Sequence, residues 1–443
     1  MKQFQRLVRL TPMAALCAAA LPALATDGML MEGYGPVSTG MGGVAQAIDN
    51  GTAAMAMNPA TLALMPTRAR HDAAFGILGP GVESSMPGMG SAKSSGSSYF
   101  MPAFGYARRT SGGSVVYGFG LFAQGGMGTE YGADSFLAMG SGVPVRSELG
   151  VGSLLFPVAW QVTPQLALGA TIDFMWSGLD LRMAASGAQL GALVTGASGN
   201  LGAALPALGG APWARIDFSN SSDFTGKANA TGWGAKLGAV YKLAPAWTVG
   251  ASYRLKSRLA DMKTSDTGAG LSATGGFIDA GRITVVDFQW PAMSALGAAW
   301  QATPALLVAA DVRRIEWAGV MKDFRMRFDS AGMGGSVSFA LPQNWKNQTV
   351  TSLGAAWALN EQLTLRAGVN LTDNPIPDAL VNPLFPATVE THYTLGAGWR
   401  FAGANELNAS LTVAPRSTVT NGMGVTVSHK QSNAQLMYSY RYQ

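Results

Sequence analysis

Apolar and polar residues alternate along most of the chain beyond residue 66. From Trp247 one face reads Trp247, Val249, Ala251, Tyr253 and Leu255, and the other reads Thr248, Gly250, Ser252, Arg254 and Lys256. From Leu363 the apolar set is Leu363, Leu365, Ala367, Val369 and Leu371, set against Thr364, Arg366, Gly368, Asn370 and Thr372. Near the end Leu436, Tyr438, Tyr440 and Tyr442 alternate with Gln435, Ser439 and Arg441. A period of two puts successive side chains on opposite faces of a strand. Here one face is greasy and the other carries amides, hydroxyls and cations. That dyad predicts strands with lipid outside and a wet interior.

A repeat punctuates the strands. An aromatic residue is followed by a short turn and a new alternating run at Trp160 (turn at Pro164), Tyr241 (Pro245), Trp300 (Pro304), Trp357 (Asn360) and Trp399 (Gly403-Ala404-Asn405). Pro, Gly and Asn end one strand and start the next. The unequal spacing excludes a solenoid. It suits hairpins with tight turns on one side and variable loops on the other. The aromatic row would then form a girdle at the inner interface. The runs predict an all-β, antiparallel transmembrane β-barrel over residues 67–443, with about fourteen strands.

Two stretches break the pattern. Residues 184–222 are rich in Ala, Gly and Leu, with Leu190, Leu193, Val194, Leu201, Leu205 and Leu208 at near-helical spacing. Residues 258–281 end in Phe277 and Ile278. Strand order places both outside the membrane as long outer loops. Apolar outer loops suit a landing place for a greasy ligand. Helices that cap the barrel mouth or pack on each other would use the same residues.

The beginning of the chain differs again. Lys2, Arg6 and Arg9, the apolar run Met13 to Leu21 and the small-residue site Ala23-Leu24-Ala25 read as a signal peptide, residues 1–25. The single cysteine, Cys17, lies in this leader and follows Leu16 rather than the small residue of a lipoprotein site. Disulfides and thiol chemistry are therefore excluded from the mature chain. Residues 26–66 have no alternation and almost no charge, and Gly40 to Leu64 is mostly small and apolar. Such a segment is stable only when other protein surrounds it, so it is read as a hatch, or plug, filling the barrel lumen.

Composition narrows the function. Charged residues make up 12% of the chain, against about 25% in ordinary soluble proteins. Without the three leader cations, 27 basic residues face 25 acidic ones, which gives nucleic acid no purchase. The only histidines are His71, His392 and His429, no Gly-x-Ser-x-Gly elbow stands before a helix, and no metal-ligand cluster appears. No catalytic residue, metal or cofactor is expected. Inward cations, namely Lys236, Arg254, Lys256 and Arg366, are candidates to hold a carboxylate. They could equally pair with lumen acids such as Asp311.

Several short motifs occur in a fixed order. They are Gly40-Met-Gly-Gly-Val-Ala with Asn58-Pro59-Ala60, then Gly128-Thr129-Glu130-Tyr131, then Gly250-Ala-Ser-Tyr253-Arg254-Leu-Lys256. Trp290-Pro291 through Gly297, Ala310-Asp311-Val312 with Trp317, Leu341 through Trp345 to Gln348, Leu365-Arg366-Ala-Gly368-Val and Asn374-Pro375-Ile-Pro377-Asp378 follow. Over nearly all of the mature chain this resembles the FadL family of outer-membrane transporters for long-chain fatty acids and other hydrophobic compounds. The resemblance implies a fourteen-stranded barrel plugged by the hatch, with Asn58, Pro59 and Ala60 as its gate. Asp49 and Asn58 would tie the hatch to the wall. It implies a ligand groove on the outer loops, at Leu190, Leu193, Leu201, Leu205, Leu208, Phe277 and Ile278. It further implies a kinked third strand with a lateral exit, where Gly118, Gly120, Gly125 and Gly126 cluster beside Gly128; ordinary barrel curvature also uses such glycines. The expected function is passive uptake of hydrophobic molecules, long-chain fatty acids first, with aromatic or aliphatic hydrocarbons as the alternative and a general diffusion porin as a second. The expected partners are that ligand, outer-membrane lipid and lipopolysaccharide of a Gram-negative cell, and the barrel assembly machinery, with the chain a monomer. Two departures stand out: Gln443 follows the terminal aromatic Tyr442, and the proposed groove loops hold few aromatic residues.

Overall fold

A computed structural model describes residues 27–222 and 225–442. The signal-peptide reading, Cys17 and the terminal Gln443 lie outside the described residues. The alternating runs form β1 (Ala69–Met86), β2 (Gly90–Lys93), β3 (Tyr99–Arg109), β4 (Val115–Tyr131), β5 (Val145–Gln161), β6 (Leu166–Ala185), β7 (Val194–Ser198) and β8 (Ala214–Phe218). They continue as β9 (Ala228–Ala244), β10 (Trp247–Arg254), β11 (Arg258–Leu259), β12 (Met262–Lys263), β13 (Ala269–Ala273), β14 (Phe277–Val286), β15 (Met293–Thr303) and β16 (Leu306–Ile315). The last are β17 (Asp323–Ser330), β18 (Ser336–Pro342), β19 (Gln348–Ala358), β20 (Leu363–Thr372), β21 (Thr391–Phe401), β22 (Asn405–Thr420) and β23 (Thr426–Tyr442).

All of them join one sheet, and every pairing between them is antiparallel. The sheet closes on itself where β1 pairs β23, from Ala69 opposite Tyr442 to Ser85 opposite Thr426. Closure leaves no free edge, the condition for a sheet in lipid. The expected count of about fourteen strands is corrected: the barrel sheet has 23. The excess comes from the outer side, where stretches read as loops are β-structured. Residues 184–222 contain β7 between the helices Gly187–Ala192 and Gly199–Leu208 and β8 after them, and residues 258–281 contain β11, β12, β13 and the start of β14. These pieces are too short, or too broken by Gly, for alternation to reveal them.

The lipid face is as the pattern demands. Trp233, Leu237, Tyr241, Trp247, Tyr253, Trp300, Leu395 and Trp399 are exposed, whereas Ser252, Arg254 and Lys236 on the inner face are buried. Trp247 and Trp300 stack at 5.6 Å near the tight-turn end. No helix among the described residues is long and apolar enough to cross a membrane.

From Asp27 to Met65 no residue is exposed. This segment forms the helix Gly35–Thr39 and the 3₁₀ turns Gly51–Ala56 and Pro59–Leu64. It is surrounded by wall strands that present glycine to it. A Cβ on Gly169 would overlap Ala60, on Gly238 would overlap Asn58, on Gly250 would overlap the Gln46 carbonyl, and on Gly368 would overlap Met41 and Gly42. A Cβ on Gly120 would come within 2.9 Å of Met55 Sδ, and one on Gly396 within 3.0 Å of Gly40 Cα. Five of these six are opposite other glycines across the ladder, in the pairs Gly169–Gly238, Gly250–Gly297, Gly354–Gly368 and Gly105–Gly120. The wall is thinned where backbone meets backbone.

Wall side chains complete the fit. Asp311 Oδ2 accepts from the Ala45 and Gln46 amides at 2.6 and 3.0 Å. Asp72 Oδ2 accepts from Thr52 N and Thr52 Oγ1, both at 2.8 Å. Arg313 pairs with Asp27 at 2.9 Å and donates to the Glu32 carbonyl at 2.9 Å. Burial pushes the Asp27 carboxyl above its ordinary range, opposed by the nearby Arg313 charge. Burial raises the Tyr34 phenol to about 12.

Candidate functional site

The ladder between β3 and β4 stops partway up the wall. It runs from Arg109 opposite Val116 to Ala103 opposite Phe122, and no further. Beyond that point β3 remains paired to β1, and β4 remains paired to β5 as far as Tyr131 opposite Val145. Contact resumes only where Ser95 N donates to Glu130 O at 2.8 Å and Glu130 N donates to Ser94 Oγ at 3.0 Å. Between these levels the wall has a window, with Tyr99 to Pro102 on one side and Ala123 to Gly128 on the other.

The start of the N-terminal segment occupies the inner edge of this window. Leu30 bridges Gly125, and Gly126 N donates to Met29 O at 3.0 Å. Gly125 has φ of 141° and lies at a register shift in the β4–β5 ladder. A side chain there would collide with the Met29 carbonyl, so this position requires glycine on two grounds. The break in β4 is therefore at Gly125 and Gly126. Gly118 and Gly120 lie lower, opposite Ala107 and Gly105 in the intact ladder, and make no kink. Gly128 packs beneath the Tyr99 hydroxyl.

Behind the window lies a cavity of about 490 Å³. Met29, Leu30, Phe100, Met101, Phe122 and Trp176 are among its apolar lining, with Gly125, Gly126 and Gly128 between them. Its acidic lining residues are Glu32 and Glu148; neither lysine nor arginine borders it. Glu148 is paired with Arg146, which also holds Glu130 at 2.8 Å. Phe100, Phe104 and Leu121, on the strands flanking the window, are exposed toward lipid.

The residues singled out from the sequence are placed as follows. Asn58 caps the turn Pro59–Leu64, its Oδ1 accepting from Ala60 N at 3.1 Å, and its Nδ2 donates to Gln46 O at 2.8 Å and to Ala239 O of β9 at 3.1 Å. It thus ties the segment to the wall, with Pro59 and Ala60 packed beneath β6 and β9. Asp49 does not: its Oδ1 accepts from Gly51 N, two residues on, at 2.9 Å. The wall carboxylates Asp72 and Asp311 do that work instead.

The outer-loop set is not brought together as a groove. Leu190 and Leu201 are buried, and Leu193, Leu205, Leu208 and Phe277 pack against the same outer cluster. Ile278 points away and is 80% exposed. None of them borders the cavity. Near-helical spacing marked a helix packing its own apolar side, which sequence alone leaves indistinguishable from a ligand surface.

The cations also have other work. Lys236 is buried against Asp173 at 2.5 Å. Arg366 donates to Asn408 Oδ1 at 3.0 Å. Arg254 is buried near Tyr34 and Asp173, with Nε and Nη2 unpartnered among the described residues. Lys256 is exposed just beyond the end of β10. None of the four borders the cavity. Of the residues that do, sequence reasoning singled out Gly125 and Gly126 and missed others, notably Met29, Leu30, Tyr99, Trp176, Pro386, His392 and His429. They come from six stretches of chain, and only the strand register unites them.

The family model described as "Outer membrane protein transport protein (OMPP1/FadL/TodX)" matches residues 27–439. The crystal structure of the Pseudomonas putida toluene transporter TodX is similar, with 33% identity and a TM-score of 0.82 over 93% of this chain and 99% of that one. The Ralstonia pickettii toluene transporter TbuX shares 31% identity, with a TM-score of 0.78 over 93% and 99% of the two chains. The CymD monoaromatic hydrocarbon channel shares 25%, with a TM-score of 0.74 over 93% and 98%. A shorter match, 48% identical over 60 residues, spans 14% of this chain and 29% of the length of an uncharacterized protein of Chlorobium limicola. Closed barrel, greasy exterior and family match agree: the chain belongs to the OMPP1/FadL/TodX family of outer-membrane transport proteins.

Proposed function

We propose that this protein admits small uncharged hydrophobic molecules, monoaromatic hydrocarbons foremost, through the cavity and out sideways through the β3–β4 window into the membrane. The observation that carries this reading is the charge of the cavity wall: Glu32 and Glu148 border it and no cation does. A fatty acid would bring its carboxylate out of water beside Glu32 and a Glu148 already paired with Arg146, with no lysine or arginine on the lining to offset the desolvation. An aromatic hydrocarbon meets no such opposition. The likeness to two toluene transporters at 31–33% identity supports the same substrate class. The preference for long-chain fatty acids drawn from the sequence accordingly gives way to its hydrocarbon alternative.

The route needs no energy source. Apolar surface buried in the cavity is exchanged for apolar surface buried in lipid, so net flow follows consumption inside the cell. Residues 26–66 act in this reading as the hatch, with Asn58, Pro59 and Ala60 at its fixed end and Met29 and Leu30 at the window. The hatch keeps the lumen closed to water and ions, which sets the protein apart from a general diffusion porin.

Uptake of radiolabelled toluene and oleate at low micromolar concentration, in a porin-poor host with and without the protein, tests the proposal. Toluene entry is expected to depend on the protein and oleate entry is not. Protein-dependent oleate uptake without toluene uptake would overturn it.

A further inference from the structure

Part of the cavity border is imidazole. His392 and His429 are both buried and both line it, beside Pro386, Ala387 and Gln431. His429 Nδ1 lies 2.7 Å from the Pro386 carbonyl oxygen. A carbonyl only accepts, so Nδ1 carries the proton and donates. In the neutral ring this fixes the tautomer and leaves Nε2 as a bare lone pair. Nε2 has no hydrogen-bond partner among the described residues, and neither ring nitrogen of His392 has one. A pure hydrocarbon cavity has no use for buried imidazoles with unmet hydrogen-bonding capacity, since each unpaired group lowers stability when left dry.

We infer that His429 Nε2, with His392 beside it, is a recognition site for the hydroxyl of a hydroxylated monoaromatic, a phenol or benzylic alcohol. This rests on the proposed route and narrows its substrate class. The aromatic ring lies among Met29, Leu30, Phe122 and Trp176, and its O–H donates to the His429 lone pair. The hydroxyl oxygen then accepts from the protonated nitrogen of His392. A carboxylate fails this test: ionised, it has no O–H to offer Nε2, and no lysine or arginine lines the cavity to pair its charge. Toluene fits the apolar part and leaves the imidazoles unpaired. A site built to pair an O–H discriminates against the analogue that lacks it, and one buried hydrogen bond supplies about tenfold.

Two measurements on the full-length protein test this. The chain has three histidines, so labelling them with nitrogen-15 gives few enough ring signals to assign. In the purified protein p-cresol is expected to shift the unprotonated His429 nitrogen, whereas toluene leaves it in place. Equal shifts with both compounds, or none with either, would mean a site filled by water alone and would overturn the inference. In cells, His429→Phe is expected to lower the ratio of p-cresol to toluene uptake about tenfold. A ratio that stays constant while both rates fall would show a merely structural histidine. If wild-type cells gain uptake of neither compound, the transport reading fails on its own, and the nitrogen-15 shifts still decide the site.

Discussion

The glycine belt on the inner wall makes a quantitative prediction about the hatch. Gly250 of β10 faces the Gln46 carbonyl so closely that a Cβ would fall well inside the 3.0 Å that real Cβ contacts keep. The obstacle is backbone on both sides, so no side chain can rotate away. Gln46 is held by Asp311 at its amide and by Asn58 Nδ2 at its carbonyl, at 3.0 and 2.8 Å. In Gly250→Ala the hatch must move off the wall locally, breaking the Asn58 bond and straining the Asp311 one. Overpacking of one methyl plus one lost hydrogen bond amounts to about 3 kcal/mol. That lowers the ratio of docked to displaced hatch roughly 100-fold. Planar-bilayer recordings should then show frequent ion-conducting openings that are rare in the wild type. Heat-modifiable migration on gels checks that the barrel itself is closed. Gly270→Ala, where nothing lies within 4 Å of the added Cβ, is the control and should stay silent. A folded Gly250→Ala barrel as quiet as the wild type would refute the idea that the belt holds the lumen closed.

Two further outcomes follow from the same geometry. Ala123 borders the cavity beside the break in β4, so Ala123→Trp should fill the window and cut toluene uptake at least several-fold while the barrel still migrates as folded. Lys236→Met strands the buried Asp173 carboxylate and should cost about 3–5 kcal/mol, read as a lower unfolding midpoint in urea; adding Asp173→Leu should restore most of it, because a paired buried charge can be replaced by apolar packing.

The barrel was legible because its physics is periodic. A strand between lipid and water must alternate, and Trp247 to Lys256 or Leu363 to Thr372 show it without any neighbour being known. The buried character of residues 27–65 was legible for a related reason: the stretch is mostly small and apolar, with Asp27, Glu32 and Asp49 its only charged residues. What alternation does not encode is register. The window exists because β4 loses its β3 partner above Phe122, and that loss depends on Gly125 meeting Met29 from a distant part of the chain. Five nearby glycines look alike in sequence, and only Gly125 has the unusual φ. The same limit misplaced the ligand groove. Leu190 to Leu208 is an apolar helical stretch whether it greets a ligand or packs on β18. The cations' partners could not be read for the same reason: Asp173 lies 63 residues from Lys236, and only the β6–β9 register unites them.

Apart from Arg254, which keeps unpartnered donors, the lumen's buried cations named here serve the hatch and the wall rather than cargo, and this bears on selectivity. Arg313 is committed to Asp27 and the Glu32 carbonyl, Lys236 to Asp173, and Arg70 to Asp72 at 2.6 Å. Asp72 and Asp311 in turn accept hatch amides. A cation already paired in low dielectric attracts a second anion weakly, since its field is largely cancelled by the first. An anionic cargo would have to displace a hatch carboxylate such as Asp27 to reach Arg313, and so would have to unlatch the hatch in order to bind. A neutral cargo in the cavity meets Met29 and Leu30 at the window edge without disturbing any ion pair. The charge arrangement that holds the hatch in place therefore also favours neutral molecules over anions, without any pocket dedicated to rejecting them.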